Sequence, residues 1–205
     1  MANIDAAFGL RPYRILGSGA NTNGIATYKI QTSGTAGTSS VIYEGTPVIP
    51  LANGLIDIVG AAAGGTVPLI GAFIGCKYTD TNGNVIFANK WPGTSSVKSS
   101  TAAECYIANN PDQLFLINCD AAVTQAAVHA NANFATGTAG DSTTGISSAE
   151  LAVSTVATTN TLNLRIMGFE DSPSNADVTA AGMLAIVKIT NHFYAYSQNG
   201  TIAGI

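Results

Sequence analysis

Hydrophobic positions in this chain fall into short runs broken by Gly, Asn, Pro and Asp, a pattern of strands and turns. The clearest pair flanks the middle of the chain, in residues 104–119. Two apolar runs enclose Asn109-Asn110-Pro111-Asp112, where Pro presets one backbone angle and Asn and Asp tolerate the rest of a turn. The pattern predicts a hairpin there. Leu114-Phe115-Leu116-Ile117 has no polar alternation, so both faces of its strand are expected to be covered, which places it centrally.

Residues 1–24 are expected to form an extended arm. Phe8-Gly9-Leu10-Arg11-Pro12-Tyr13-Arg14 is too short and interrupted for a helix, and Pro12 biases Arg11 towards extended geometry. Residues 17–24 then form a turn-rich link and 25–30 alternate as a strand. After a polar loop at 32–40, Pro47-Val48-Ile49-Pro50 is an extended run with a proline at each end, which assigns it to a sheet edge. Asn53-Gly54 turns into a strand at 55–59, and residues 67–80 carry the longest β pattern. Asn82-Gly83 predicts a tight hairpin into Val85-Ile86-Phe87, with both central residues at positive φ. Residues 94–101 and 137–148 are polar loops; 121–130 is Ala-rich and reads as one short helix; 147–153 is a strand or a turn. Strands at 161–169 and 183–189 are separated by Asp171-Ser172-Pro173-Ser174-Asn175, and 193–196 extends the last. The expectation is an all-β chain, with a single β-sandwich or jelly-roll-like barrel over residues 25–205 and the arm over 1–24.

Composition sharpens this picture. The chain has 205 residues, 46% hydrophobic but only 10% charged, where about a quarter charged is usual. A surface with so few charges is poorly protected against association, which implies that a partner covers part of it. The net charge of −4 argues against a dedicated nucleic-acid binder. Residues 1–30 hold Arg11, Arg14 and Lys29 against Asp5, or +2; the remainder sums to −6. A mildly basic arm on an acidic body points to a partner of its own or to a solvated tail. Residues 58–76 carry no charge across a membrane-spanning length, but their Gly and Pro density suits two strands joined at Gly64-Gly65. The first residues lack the basic and apolar regions of a secretory signal.

Candidate chemistry is sparse. Cys76, Cys105 and Cys119 show neither zinc spacing nor an even count. They read as buried free thiols, with Cys105 and Cys119 near each other across the mid-chain hairpin. His129 and His192 lack a G-x-S-x-G elbow, and Glu170-Asp171 are adjacent, so on a strand they point to opposite faces. Asp80-Thr81-Asn82-Gly83-Asn84 has its Gly in the fourth position rather than the sixth of a calcium loop, so a hairpin turn is the better reading. No catalytic residue, cofactor or metal ligand is assigned.

Several segments, in order, resemble the head decoration or cement proteins of tailed bacteriophages: Phe8-Gly9-Leu10-Arg11-Pro12, Gly45-Thr46-Pro47-Val48, Asn110-Pro111-Asp112-Gln113-Leu114-Phe115, residues 161–168, Val187-Lys188-Ile189-Thr190-Asn191-His192, and the terminal Gly204-Ile205. Thr46 departs from the acid that the family carries there. The resemblance implies a β-rich body with an extended arm, made in the host cytoplasm and assembled as a homotrimer on the outer face of the virion capsid. Its partner would be the major capsid protein, whose neighbouring subunits it would clamp against the pressure of packaged DNA, without direct nucleic-acid or membrane contact. Under that reading Phe8, Leu10 and Tyr13 are apolar anchors, and Arg11 and Arg14 meet capsid carboxylates or carbonyls. The alternatives are a glycan-binding β-sandwich module of the virion or tail, using Tyr, Asn and the lone Trp91, and, last, a hydrolase.

Overall fold

Short alternating segments and abundant turn residues leave the backbone one economical way to satisfy its hydrogen bonds, which is antiparallel pairing. The computed structural model describes residues 3–17, 24–30, 40–59, 67–135 and 139–195. They build twelve strands in two antiparallel sheets, a β-sandwich. The strands are β1 (Arg11–Ile15), β2 (Ile25–Lys29), β3 (Pro47–Pro50), β4 (Ile56–Ile58), β5 (Gly71–Thr79), β6 (Val85–Ala88), β7 (Glu104–Ala108), β8 (Gln113–Asn118), β9 (Asn131–Ala135), β10 (Glu150–Ala157), β11 (Leu164–Phe169) and β12 (Leu184–Ile189). The first sheet runs β1-β8-β12-β11-β9-β10. The second runs β2-β7-β5-β3-β4, with β6 paired to the far half of β5.

Two cores hold these layers. One lies between the sheets, where Phe115, Ile117, Leu164, Ile166, Val187 and Ile189 of the first sheet meet Ala72 and Ala108 of the second and Leu69 just ahead of β5. The other covers the far face of the second sheet, where Phe73, Cys76, Cys105 and Ile107 pack under Ile30, Ile42, Trp91 and Val97 from flanking segments. Ala72 and Phe73 are consecutive and enter opposite cores, so β5 is apolar on both faces and shows no alternation.

The mid-chain turn forms: the Asp112 amide donates to Asn110 Oδ1 at 2.8 Å and the Gln113 amide to the Asn110 carbonyl at 3.0 Å. Its flanks do not form the expected hairpin. β7 belongs to the second sheet and β8 to the first, so the turn carries the chain across the sandwich and Ala108 and Phe115 share the inter-sheet core. Cys105 therefore lies in the outer core opposite Cys76, while Cys119 lies in the inter-sheet core, not beside Cys105. β8 is central, as its unbroken apolar run predicts.

Further expectations need correction. β3 is not an edge strand, since it lies between β5 and β4. It is four residues long and its ladder with β5 involves only Pro47 and Val48, so prolines at its ends remove few donors. At the Asn82-Gly83 hairpin only Gly83 has positive φ, 91°. The Gly83 amide donates to the Asp80 carbonyl and the Asp80 amide to the Asn84 carbonyl, a three-residue loop in which Gly alone takes the left-handed position. Residues 121–130 hold only a 3-10 turn, Gln125–Ala127, and not a helix. Residues 193–195 form a turn rather than more strand. The segment at 147–153 resolves into the start of β10, whereas β9 was not anticipated. The Gly64-Gly65 junction, most of the loop at 32–40, Tyr196 and Gly204-Ile205 lie outside the described residues. Among those described, no helix is long and apolar enough to cross a membrane.

Candidate functional site

Residues 3–17 contain every candidate contact residue, and the structure ties them to the body. The Asn118 side-chain amide donates to the Ile4 and Ala6 carbonyls at 3.1 and 3.0 Å, and the Gly9 amide donates to the Ala149 carbonyl at 3.1 Å. The Leu10 amide donates to the Gly45 carbonyl at 2.8 Å. β1 then pairs with β8 as the terminal strand of the first sheet. The segment is extended, as expected, but it is not a separable arm. Its backbone completes a sheet and Leu10, fully buried, completes the inter-sheet core. Leu10 is therefore withdrawn as an anchor, because no partner reaches it while the protein is folded.

The crossing of residues 8–10 over 44–46 explains why two of the recognisable sequence segments carry glycine. Gly9 and Gly45 have φ of 72° and 86°, and a β-carbon on either would collide with the backbone of the other segment. Other recognisable segments join the same neighbourhood. Gln113 Nε2 donates to the Arg14 carbonyl at 3.1 Å, and Lys188 Nζ donates to Asp112 Oδ1 at 2.6 Å, pairing with that carboxylate.

A β-bulge sets the direction of the β1 side chains. Simple alternation would put Arg11 and Arg14 on opposite faces. The register shifts between Pro12 and Arg14, so Arg11 lies opposite Leu116 and Arg14 opposite Leu114, both on the outer face of the first sheet. Pro12 lies opposite Phe115, whose side chain enters the inter-sheet core. Tyr13, at the bulge, is 37% exposed, and Leu16 and Ile4 are 44% and 70% exposed. The Arg11 guanidinium stacks over the half-buried Phe8 ring at 4.3 Å, and that of Arg14 over Tyr13 at 5.6 Å. Ile4, Ala6, Phe8, Arg11 and Leu184 line a cleft of about 220 Å³ beside this strand. The structure thus brings Phe8, Arg11, Tyr13 and Arg14 together on one accessible ridge, with Leu10 beneath it.

Residues with chemical potential elsewhere are engaged in local structure. His192 is buried, its Nδ1 accepts the Tyr194 amide at 3.1 Å, and burial lowers its pKa to about 4. His129 has φ of 72° and its amide caps the Ile166 carbonyl at 2.8 Å. Burial pushes Cys76, Cys105 and Cys119 each up to about 12. The Asp80 carboxylate accepts from the Asn84 and Asn82 amides, which lowers its pKa and closes the hairpin turn. Among the described residues, no group of three or more His, Cys, Asp or Glu is placed to hold a metal. Trp91 is fully buried, so the indole invoked for a glycan site is not offered to a sugar.

The sequence did not single out Arg165 and Lys188, which share the outer face with Arg11 and Arg14. Lys188 follows directly on the β12 register from Leu114, and Arg165 lies opposite Lys188. The signal was present in Leu164-Arg165-Ile166 and Val187-Lys188-Ile189, each a cation between two core residues and hence facing out. Comparison of the chain with family models, curated proteins and solved structures finds no match. The class that the fold itself defines is an antiparallel β-sandwich with an apolar and cationic edge strand.

Proposed function

We propose that this protein is a structural component of a bacteriophage head, binding the outer surface of the assembled capsid as a homotrimer and clamping neighbouring subunits. The observation that carries this reading is the composition of the β1 ridge. Exposed Tyr13 stands with Arg11 and Arg14 on a backbone fixed by sheet pairing, flanked by exposed Leu16 and Ile4, whose backbones are held by hydrogen bonds to Asp112 and Asn118. Aromatic and Arg side chains on a preorganised backbone are what adhesive hot spots are made of. The ordered resemblance to decoration proteins names the surface. Each protomer would bury on the order of 1,000 Å² against the shell, a modest interface. Three linked protomers would hold far more tightly by effective concentration.

The test is co-sedimentation with empty heads. Tyr13→Ala and Arg14→Ala leave the core intact and should each lower occupancy about tenfold at limiting protein concentration. Full decoration by a double variant that keeps the wild-type melting temperature would refute the adhesive role of β1.

A further inference from the structure

We infer that the part of the first sheet's outer face around Arg11, Arg14, Arg165 and Lys188, and not β1 alone, is a docking surface for a carboxylate-bearing patch on a folded protein. This deepens the adhesion reading above and rests on it. Strand register sets Arg14, Leu114, Lys188, Arg165 and Asn131 in one row across β1, β8, β12, β11 and β9. Arg11, Leu116, Ile186 and Gly168 form the next row. Four of the chain's eight basic residues thus share one face of one sheet, in a protein whose net charge is −4. Lys188 and Arg165 are direct cross-strand neighbours, an arrangement that like-charge repulsion disfavours. Asp112 pairs with Lys188, and Arg165 Nε donates to Asn131 Oδ1 at 3.1 Å. Among the described residues Asp112 is the carboxylate paired within these two rows, so this part of the face carries an excess of cations, whereas Asp5, Asp120 and Glu150 gather at the β10 end of the sheet. Arg165, Lys188, Met167, Leu16 and Thr190 also line an open cleft of about 240 Å³, large enough to take a side chain.

The mixture of groups selects the occupant. Half-buried Leu116 and Ile186 lie between the cations, and exposed Tyr13 and Leu16 border them. Apolar surface interleaved with Arg and Lys suits a protein patch that is acidic at its rim and apolar at its centre. A phosphate backbone would use the cations and waste the apolar surface, and the acidic remainder of the molecule would repel it.

The test uses the full chain and two probes, poly-L-glutamate and a DNA duplex, at low salt and equal charge concentration. Amide shifts on ¹⁵N-labelled protein should concentrate on β1, β8, β11 and β12 with poly-L-glutamate. They should weaken about tenfold in Arg14→Glu/Arg165→Gln, where Gln retains a donor for Asn131, and persist in Lys29→Glu/Lys98→Glu, which alters charge elsewhere. Shifts that are absent, that lie on other strands, that arise only with DNA, or that weaken equally in both variants overturn the inference. So does loss of oligomer mass in Arg14→Glu/Arg165→Gln with head binding unchanged, which would make the face a contact between copies of this chain. Wild-type protein that binds poly-L-glutamate on this face but never binds heads sinks the capsid reading and leaves the acidic-partner inference intact. Wild type and Arg14→Glu/Arg165→Gln decorating heads equally overturns this inference and the part given to Arg14 in the β1 ridge, and leaves only head binding through other residues standing.

Discussion

Single residues carry more of this structure than their size suggests. Gly9 and Gly45 each combine a left-handed backbone with an approach that leaves no room for a β-carbon. Gly54, with φ of 77°, is left-handed too, but its missing side chain would meet only open space. Gly9→Ala should therefore cost about 2–4 kcal/mol, and Gly54→Ala only about 1 kcal/mol. Urea midpoints of the two variants check the ordering, and equal shifts would show that residues 8–10 do not cross 44–46 as described. The cysteines make a second residue-scale prediction. Cys76 Sγ donates to the Lys90 carbonyl and Cys105 Sγ to the Tyr28 carbonyl, on opposite flanks of the β5–β7 pair. All three thiols are buried and held protonated well above neutral pH. Ellman's reagent should find none in the native protein and three after denaturation; a fast-reacting native thiol would contradict the burial.

At the scale of elements, β1 is both ridge and wall. Leu10→Ala should destabilise by about 2–5 kcal/mol, because the side chain leaves a cavity between the sheets. Deleting residues 1–16 removes the same core contact together with the pairing to β8, so the melting temperature should fall by about 10 °C or more. A truncated protein that melts with the wild type would restore the separable arm. The sequence misled here for a physical reason. Pro12 and the Tyr13 bulge break the alternation that marks a strand, while the pairing that makes β1 a strand is supplied by β8, a hundred residues away. Local turn chemistry was legible, as Asn53-Gly54, Asp80 to Asn84 and Asn109 to Asp112 demonstrate, because those residues satisfy their own backbone. Which sheet each flank joins was not, since a turn dictates a reversal and not a partner. β9 escaped notice because Asn131-Ala132-Asn133-Phe134-Ala135 has little β propensity and is held by β10 and β11. The candidate ridge was half legible. Its aromatic and cationic residues stand out in the sequence, but the inward turn of Leu10 and the alignment of Arg165 and Lys188 exist only once the register is set.

The whole molecule depends on how firmly its two sheets are joined, and one join lies at His192. Past β12 of the first sheet, the Asn191 carbonyl accepts the Leu69 amide at 2.9 Å, and the Phe193 amide donates to the Leu69 carbonyl at 2.8 Å, just ahead of β5 in the second sheet. His192 sits inside that stitch, 2% exposed, with Lys188 and Asp112 as its charged neighbours. Burial lowers its pKa from the ordinary 6.5 to about 4, so the folded protein resists a proton that the unfolded chain accepts. Between those two values the unfolded state binds more protons, and stability must fall as pH drops through that window, levelling off below about 4. The full effect is about 3 kcal/mol. His192→Asn keeps an acceptor for the Tyr194 amide and removes the titration. Wild type should therefore lose about 3 kcal/mol more than the variant between pH 7 and pH 4, measured by urea unfolding across that range. Parallel curves for the two proteins would mean that His192 is solvated in the folded state and that the seam between the sheets is held elsewhere.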